Sequence, residues 1–361
     1  MDLGGVVSTR PISTAYLGLL YNYLHSNSYT FTASFYTGRF YESVQTTARM
    51  DIPTSLPLFL ETEFTYNHWN YLNTSEIFIQ SSEPNYINQS DRRVTLKAAV
   101  PVYKKGKFRT EVGFINFNNQ FSPTNTFTTG DILDDQRVNA FMASMAFDKN
   151  SLNDRQYASS GQRLELEVSY YNGNENYQPG NIFRNEPFYN SIKPIEQSLQ
   201  WLRLKFHNEN YFFKKRNYSL GYVLEGALSN KPLLSTFKAN VLSTPAFNPL
   251  QDSKSLYLEE LRANSYAALG LKNVINVLKN LDLRIEGYTY LPFQEFQLVA
   301  PQSTQFGKYF SDRHYAATAG WVYHTIGGPV NLSLNYYDDE QNRFGVMFHV
   351  GFLLYNKRSF E

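Results

Sequence analysis

The sequence predicts an all-β fold, a transmembrane antiparallel β-barrel of about sixteen strands, on three observations. Apolar and polar residues alternate along segment after segment from one end of the chain to the other. The connections between those segments alternate between short and long. The composition is rich in aromatics, with 28 Tyr and 28 Phe, yet only 18% of residues are charged, against about 25% in ordinary soluble domains. Mean hydropathy is −0.43, and no uninterrupted apolar run reaches the roughly 18 residues a membrane helix needs, so a helical span is excluded.

In chain order, Thr30, Thr32 and Ser34 oppose Tyr29, Phe31, Ala33 and Phe35. Leu60 to Tyr66 sets Glu61, Glu63 and Thr65 against Leu60, Thr62, Phe64 and Tyr66. Arg93 to Ala98 and Arg163 to Tyr170 repeat the pattern with charges on the polar face, as does Asp282 to Glu286. Val330 to Tyr336 puts Asn331, Ser333 and Asn335 opposite Val330, Leu332, Leu334 and Tyr336. In the last segment Phe344, Val346, Phe348, Val350, Phe352 and Leu354 form one wholly apolar face. With the turn signals, the strands are expected to start near 3, 14, 28, 42, 58, 91, 107, 138, 162, 199, 217, 264, 281, 315, 328 and 342. An even count brings both ends to one side. No domain boundary interrupts the pattern, so residues 1–361 read as a single barrel.

Short connections fall at His25 to Ser28, Lys104 to Lys107, Lys214 to Asn217 and Gly327-Gly328, and long ones at about 73–90, 122–137, 175–198, 229–262 and 294–313. Short periplasmic turns and long external loops are the habit of outer-membrane barrels. A soluble sandwich or propeller also has many alternating strands, but not this alternation of connections. In a barrel, Trp69, Trp201 and Trp321 are candidates for the aromatic girdles or the lumen.

The polar faces carry Arg49, Glu61, Glu63, Arg93, Lys97, Arg109, Glu111, Arg163, Glu165, Glu167, Arg203, Lys205, Asp282, Arg284 and Glu286. A basic side chain facing lipid near the midplane costs about 2–4 kcal/mol, so this face is expected to look into a wet lumen. Both signs occur on neighbouring strands, which favours cross-strand ion pairs over the single-sign ring of a selective pore. Within that network we single out Arg163, Glu165, Glu167, Arg203, Asp282, Arg284 and Glu286. The longest connection, 229–262, is expected to fold inward, with Asp282, Arg284 and Glu286 as its partners.

The net charge of +1 gives no global field of the kind a nucleic-acid binder needs. The absence of cysteine excludes a disulfide framework and a thiol nucleophile. The sequence contains no Gly-x-Ser-x-Gly elbow, P-loop or His-Glu-x-x-His. The six His residues are scattered without ligand spacing, and Ser333 and His349 fall on the inner rather than the lipid face, so this chain reads as neither an enzyme nor a metal or cofactor binder. Met1-Asp2-Leu3-Gly4-Gly5 has neither basic nor apolar leader character, which suggests a processed piece of a longer protein.

The stretch Ala316 to Tyr336, with Trp321 before a Gly327-Gly328-Pro329 turn, and the ending Phe344-Gly345-Val346-Met347-Phe348-His349-Val350-Gly351-Phe352 resemble the end of barrels in the BamA-like outer-membrane assembly and two-partner secretion superfamily. Gly4-Gly5-Val6-Val7-Ser8-Thr9-Arg10-Pro11 and Leu281 to Tyr288 resemble more narrowly the C-terminal barrels of patatin-like proteins from Bacteroidetes, of the type Vd autotransporter kind. That resemblance implies patatin phospholipase and POTRA-type domains upstream and a barrel that anchors, translocates or assembles. It leaves open an independent barrel-assembly factor, a passive porin or transporter, and, in another class, a barrel-embedded lipid hydrolase. The superfamily's inward sixth loop carries Val-Arg-Gly-Phe or Tyr, which Tyr257 to Tyr266 lacks, so Arg262 is the candidate for the equivalent contact. Closure is expected between Gly4 and Gly5 of the first strand and the last strand with Phe344, Phe348 and Phe352. The implied partners are outer-membrane lipids, the barrel-assembly machinery during biogenesis, and a homodimer or larger outer-membrane complex.

Overall fold

The computed structural model describes residues 1–10, 12–71, 87–124, 130–339 and 343–360. The chain runs through β1 (Asp2–Ser8), β2 (Ser13–Leu24), β3 (Ser28–Gly38), β4 (Tyr41–Ile52), β5 (Leu58–Tyr71), β6 (Ile87–Tyr103), β7 (Gly106–Phe121), β8 (Asp134–Asn150) and β9 (Gln162–Gln178). It continues through β10 (Ile195–Lys215), β11 (Tyr218–Ser229), the short helix α1 (Phe237–Leu242), β12 (Tyr266–Leu278), β13 (Leu281–Pro292), β14 (Gln294–Ala300), β15 (Ser303–Tyr309), β16 (His314–Thr325), β17 (Gly328–Tyr337) and β18 (Phe344–Gly351). Sixteen of these strands close an antiparallel barrel in sequence order, with β13 pairing β16 and β1 pairing β18; β14 and β15 form a separate hairpin. The stretch 294–313, expected as a plain loop, thus contains that hairpin, whose Gln302 side chain donates to the Lys193 carbonyl at 2.6 Å.

Period two decides which side chains face lipid. Leu332, Leu334, Ile285, Val168 and Phe348 are each about half exposed on the outside, while Asn331, Ser333, Arg284 and Glu167 are buried within the barrel. Because strands closed into a ring leave no backbone edge to desolvate, this is the one β architecture that crosses a bilayer. No helix among the described residues is long and apolar enough to do so.

The largest offsets from the expected starts are four residues, where 91, 138 and 199 become Ile87, Asp134 and Ile195. The reason lies on the outer face. At these ends it carries polar residues instead of apolar ones, Asn88 and Ser90, Asp135 and Arg137, and Glu196 and Ser198, with Asn176 donating to Glu196 at 2.7 Å. The strands rise past the lipid belt, so hydrophobic alternation fades before the strand does.

The start of β1 and the end of β18 lie at one rim, here the terminal rim. The turns β2–β3, β6–β7, β10–β11 and β16–β17 gather there, while the long connections β7–β8, β9–β10, β11–β12 and β13–β16 gather at the opposite, distal rim. The expected loop at 73–90 lies mostly outside the described residues. One connection breaks the rule: 151–161, between β8 and β9, is long yet lies at the terminal rim, where it folds across the mouth.

The seam joins the two shortest barrel strands over five pairs, Gly4↔Gly351, Gly5↔Val350, Val6↔His349, Val7↔Phe348 and Ser8↔Met347. The Thr9 amide adds a bond to the Val346 carbonyl at 2.9 Å. Phe344 lies beyond this ladder and faces Tyr336 of β17. The expectation that alternation continues through Phe352 and Leu354 is corrected. Gly351 has φ +79°, a left-handed turn that glycine adopts without penalty, and it ends the strand. The chain then bends into the lumen, where Phe352 packs against the interior aromatics.

Candidate functional site: the lumen

Three segments fill the barrel. Residues 230–265, between β11 and β12, enter from the distal rim, and α1 buries Ala239, Asn240, Val241 and Leu242. Residues 151–161 close the terminal rim on one side. Residues 352–360 rise from Gly351 and end with Phe360 against Phe117, Tyr171 and Trp201, at ring distances of 5.2, 6.0 and 5.8 Å.

The wall of β6 to β10 holds the distal segment through a belt of amides that passes from strand to strand. Gln89 donates to Asn119 at 2.8 Å, Asn119 to Gln136 at 2.7 Å, and Gln136 to Glu175 at 2.7 Å. Glu175 also accepts from Gln197 at 2.5 Å and from the Ser235 hydroxyl at 2.8 Å, while Gln89 reaches the Leu242 carbonyl at 3.3 Å. Each member has a partner on the next strand, so the belt satisfies buried polar atoms and presents one carboxylate to the entering loop. Sequence reasoning missed these residues because Gln and Asn on an inward face show no charge signal, and their partnership depends on strand register.

On the opposite wall, Asp252 is wholly buried and accepts from Arg10 at 2.6 Å and from the Tyr337 hydroxyl at 2.6 Å. The Arg10 guanidinium stands 4.8 Å from the Tyr337 ring. The distal segment is therefore tied to the residues that follow β1 and to β17, beside the seam.

Arg163 pairs with Glu165 at 2.7 Å, and Glu167 takes Arg109 at 2.8 Å and Lys357 at 3.7 Å. Arg93 bonds Glu111, and Lys97 lies 3.1 and 2.7 Å from Glu61 and Glu63. Arg203 donates to the Phe360 carbonyl. Asp282 accepts from His324 at 2.9 Å and Asn276 at 2.6 Å, and Arg284 bonds Glu286 at 2.9 Å.

The expectation that Asp282, Arg284 and Glu286 receive the long distal loop is corrected. These residues sit near the terminal end of β13, whereas that loop enters from the other rim. Arg284 instead donates to the Tyr157 and Ala158 carbonyls at 3.0 Å, and so holds the 151–161 segment. A cavity of about 150 Å³ separates the two segments, with Arg284 and Glu286 on one side and Pro249 to Gln251 on the other. Arg262 is buried, bridges to Ala246 and stacks 5.4 Å from Tyr257, within the inserted segment itself. Parity points Trp69 and Trp201 inward, so of the three girdle candidates Trp321 faces out. Ser333 and His349 are both buried inside, and His349 meets the Tyr157 hydroxyl at 3.2 Å.

One acid in the inserted segment titrates near neutrality. Burial, with the Asp339 carboxyl beside it, pushes Glu260 up to about 8. An unfolded glutamate titrates near about 4.3, so the folded state holds this proton more tightly. Its contribution to docking is therefore complete below about pH 4.3 and is lost as pH rises through about 8. Limited proteolysis of 230–265 should accelerate between pH 6 and pH 9 in the native protein and stay flatter in Glu260→Gln. Equal slopes in the two would discard Glu260 as the cause.

Among solved structures the chain is similar to BamA from Haemophilus ducreyi lacking POTRA domains 1–3, at TM-score 0.59 and 10% identity over 97% of this chain and 69% of that one. It is similar to CdiB from Acinetobacter baumannii, at 0.52 and 9% over 97% and 59%, and to CdiB from Escherichia coli, at 0.50 and 9% over 98% and 63%. The chain thus spans roughly three fifths of the CdiB chains' length. At such identities the likeness is one of fold. No family model matches the sequence, and no curated protein does. The closed ring and its apolar belt make this chain a transmembrane β-barrel, with a fold shared with BamA and CdiB.

Proposed function

We propose that this chain is an outer-membrane translocation or assembly barrel kept shut at rest, and that it serves as membrane anchor and translocation module of a patatin-like protein. The observation that carries the reading is the filled lumen. Segments from both rims meet around Phe360 and are bonded to the wall through Glu175, Asp252, Arg203 and Arg284. A passive porin depends on a standing water-filled channel, whereas a barrel that handles polypeptide is served by plugs that dock and undock. The BamA and CdiB folds support the coarse reading, and the Gly4 to Pro11 and Leu281 to Tyr288 resemblance supports the patatin link. Outer-membrane lipids at the belt, the barrel-assembly machinery and a second copy of the chain are the partners this role implies.

Reconstituted in planar bilayers, the native chain should give small, flickering currents; a large and steady conductance would overturn the reading in favour of a channel. The anchor role is tested separately by reading the coding sequence upstream of Asp2. A Gly-x-Ser-x-Gly elbow there supports it, and a sequence without one removes the patatin link while leaving the translocation reading standing.

A further inference from the structure

The segment 352–360 is held as a peptide ligand is held, not as a strand is. It forms no ladder with the wall. Instead, wall side chains read its main chain: Asn67 donates to the Lys357 carbonyl at 3.0 Å, Asp91 accepts from the Ser359 amide at 2.9 Å, and Arg203 donates to the Phe360 carbonyl. Such contacts fix the path of an extended chain without regard to its sequence.

Pockets for individual side chains add selectivity. Tyr355 stacks on Tyr36 at 5.2 Å, and Asn356 donates to Ser43 at 2.7 Å. Arg358 lies 4.2 Å from the Trp69 ring and donates to Gln89, the first member of the amide belt. Phe360 fills the pocket of Phe117, Tyr171 and Trp201. Lys357 stands 3.7 Å from the Glu167 carboxylate of the same wall.

We propose that this wall of the lumen is a peptide-binding site which 352–360 occupies in cis, and which accepts in its place an extended polypeptide segment carrying an aromatic residue with a cation two positions before it. The inference rests on the translocation reading and names the chemistry of the chain handled. Two features make the occupant exchangeable. Beyond the Phe352 amide, which bonds the Leu3 carbonyl, the segment has no strand register with the wall to lock it. When it leaves, Asp91 and Arg203 lose main-chain partners in a buried groove, which is costly, so the emptied groove favours refilling by another chain with the same amides and carbonyls.

The test uses the full chain in planar bilayers, native and with Arg358→Ala and Phe360→Ala together. The double variant should show at least tenfold more open time. A synthetic peptide of residues 352–360, added at the terminal rim, should close it in a saturable way, whereas a scrambled nonapeptide should not. The peptide with alanine in place of Phe360 should need at least tenfold higher concentration. Should the double variant fail to fold, the native chain supplies the second measurement: the peptide with a photoreactive phenylalanine at the Phe360 position should crosslink to the fragment containing Trp201, and excess unlabelled peptide should compete. Closure or crosslinking no better than that of the scrambled peptide would overturn the site. Peptide block is read without any polypeptide crossing the membrane, so its failure is distinguishable from failure of the translocation role.

Discussion

Replacing Asp252 with Ala should leave the barrel folded but free its distal plug. The carboxylate is wholly buried, its Arg10 partner is 4% exposed, and Tyr337 donates to the same group. Removing one member of a buried ion pair costs about 3–5 kcal/mol, because the other charge stays in a place chosen for a pair. The bonds lost are those between the 230–265 segment and the wall, not those between strands, so the cost falls on docking. Docking should weaken by a factor on the order of 10² to 10⁴. Trypsin should then reach Lys238 and Lys254 in the inserted segment, bilayer currents should rise, and heat-modifiable mobility on gels should persist. Arg10→Ala should give a similar phenotype, and the double variant should fall well short of the sum of the two. Full protection of Lys238 and Lys254 in Asp252→Ala would remove this pair as the tether.

Gly351→Ala should be more damaging than its size suggests, because it acts on closure. The residue holds φ +79°, a conformation that costs other residues about 1–3 kcal/mol. A Cβ there would lie 1.9 Å from the Leu3 carbonyl oxygen. That oxygen belongs to the first strand and accepts the Phe352 amide, so it cannot yield without opening the seam. Gly4 is crowded in the same way, its Cβ falling 2.0 Å from the Phe352 carbonyl oxygen. Gly287→Ala is the control, since nothing lies within 4 Å of its Cβ. Gly351→Ala and Gly4→Ala should sharply reduce the folded, heat-modifiable form, while Gly287→Ala should match the native yield. Equal yields for all three would show that the seam tolerates what its geometry forbids.

The wall of the barrel was legible because lipid imposes a rule on single residues. A side chain on one parity must be apolar, and Leu332, Leu334, Ile285 and Val168 announce that face without knowledge of any neighbour. The same parity puts Arg163, Glu165, Glu167, Arg203, Asp282, Arg284 and Glu286 on one face; all but Arg163, which is partly exposed at the terminal rim, are buried. It does not say what they meet. In the sequence Asp282, Arg284 and Glu286 read as partners of the long 229–262 loop, but depth along β13 assigned Arg284 to the Tyr157 and Ala158 carbonyls instead.

The sequence by itself determined the sixteen barrel strands to within four residues, their inward faces and, 151–161 apart, the side on which long connections gather, since period two and connection length are local properties. Tertiary structure alone decided the contents of the lumen. The apolar alternation of Phe344 to Val350 runs on through Phe352 and Leu354 without a break, and what ends the strand is a left-handed turn at Gly351 forced by the close approach of Leu3. The pocket for Phe360 joins residues of β7, β9 and β10, and the tether at Asp252 joins a loop to positions 242 and 85 residues away. Such partners share no spacing in the chain, because they come together only when the ring closes and fixes the register of every strand.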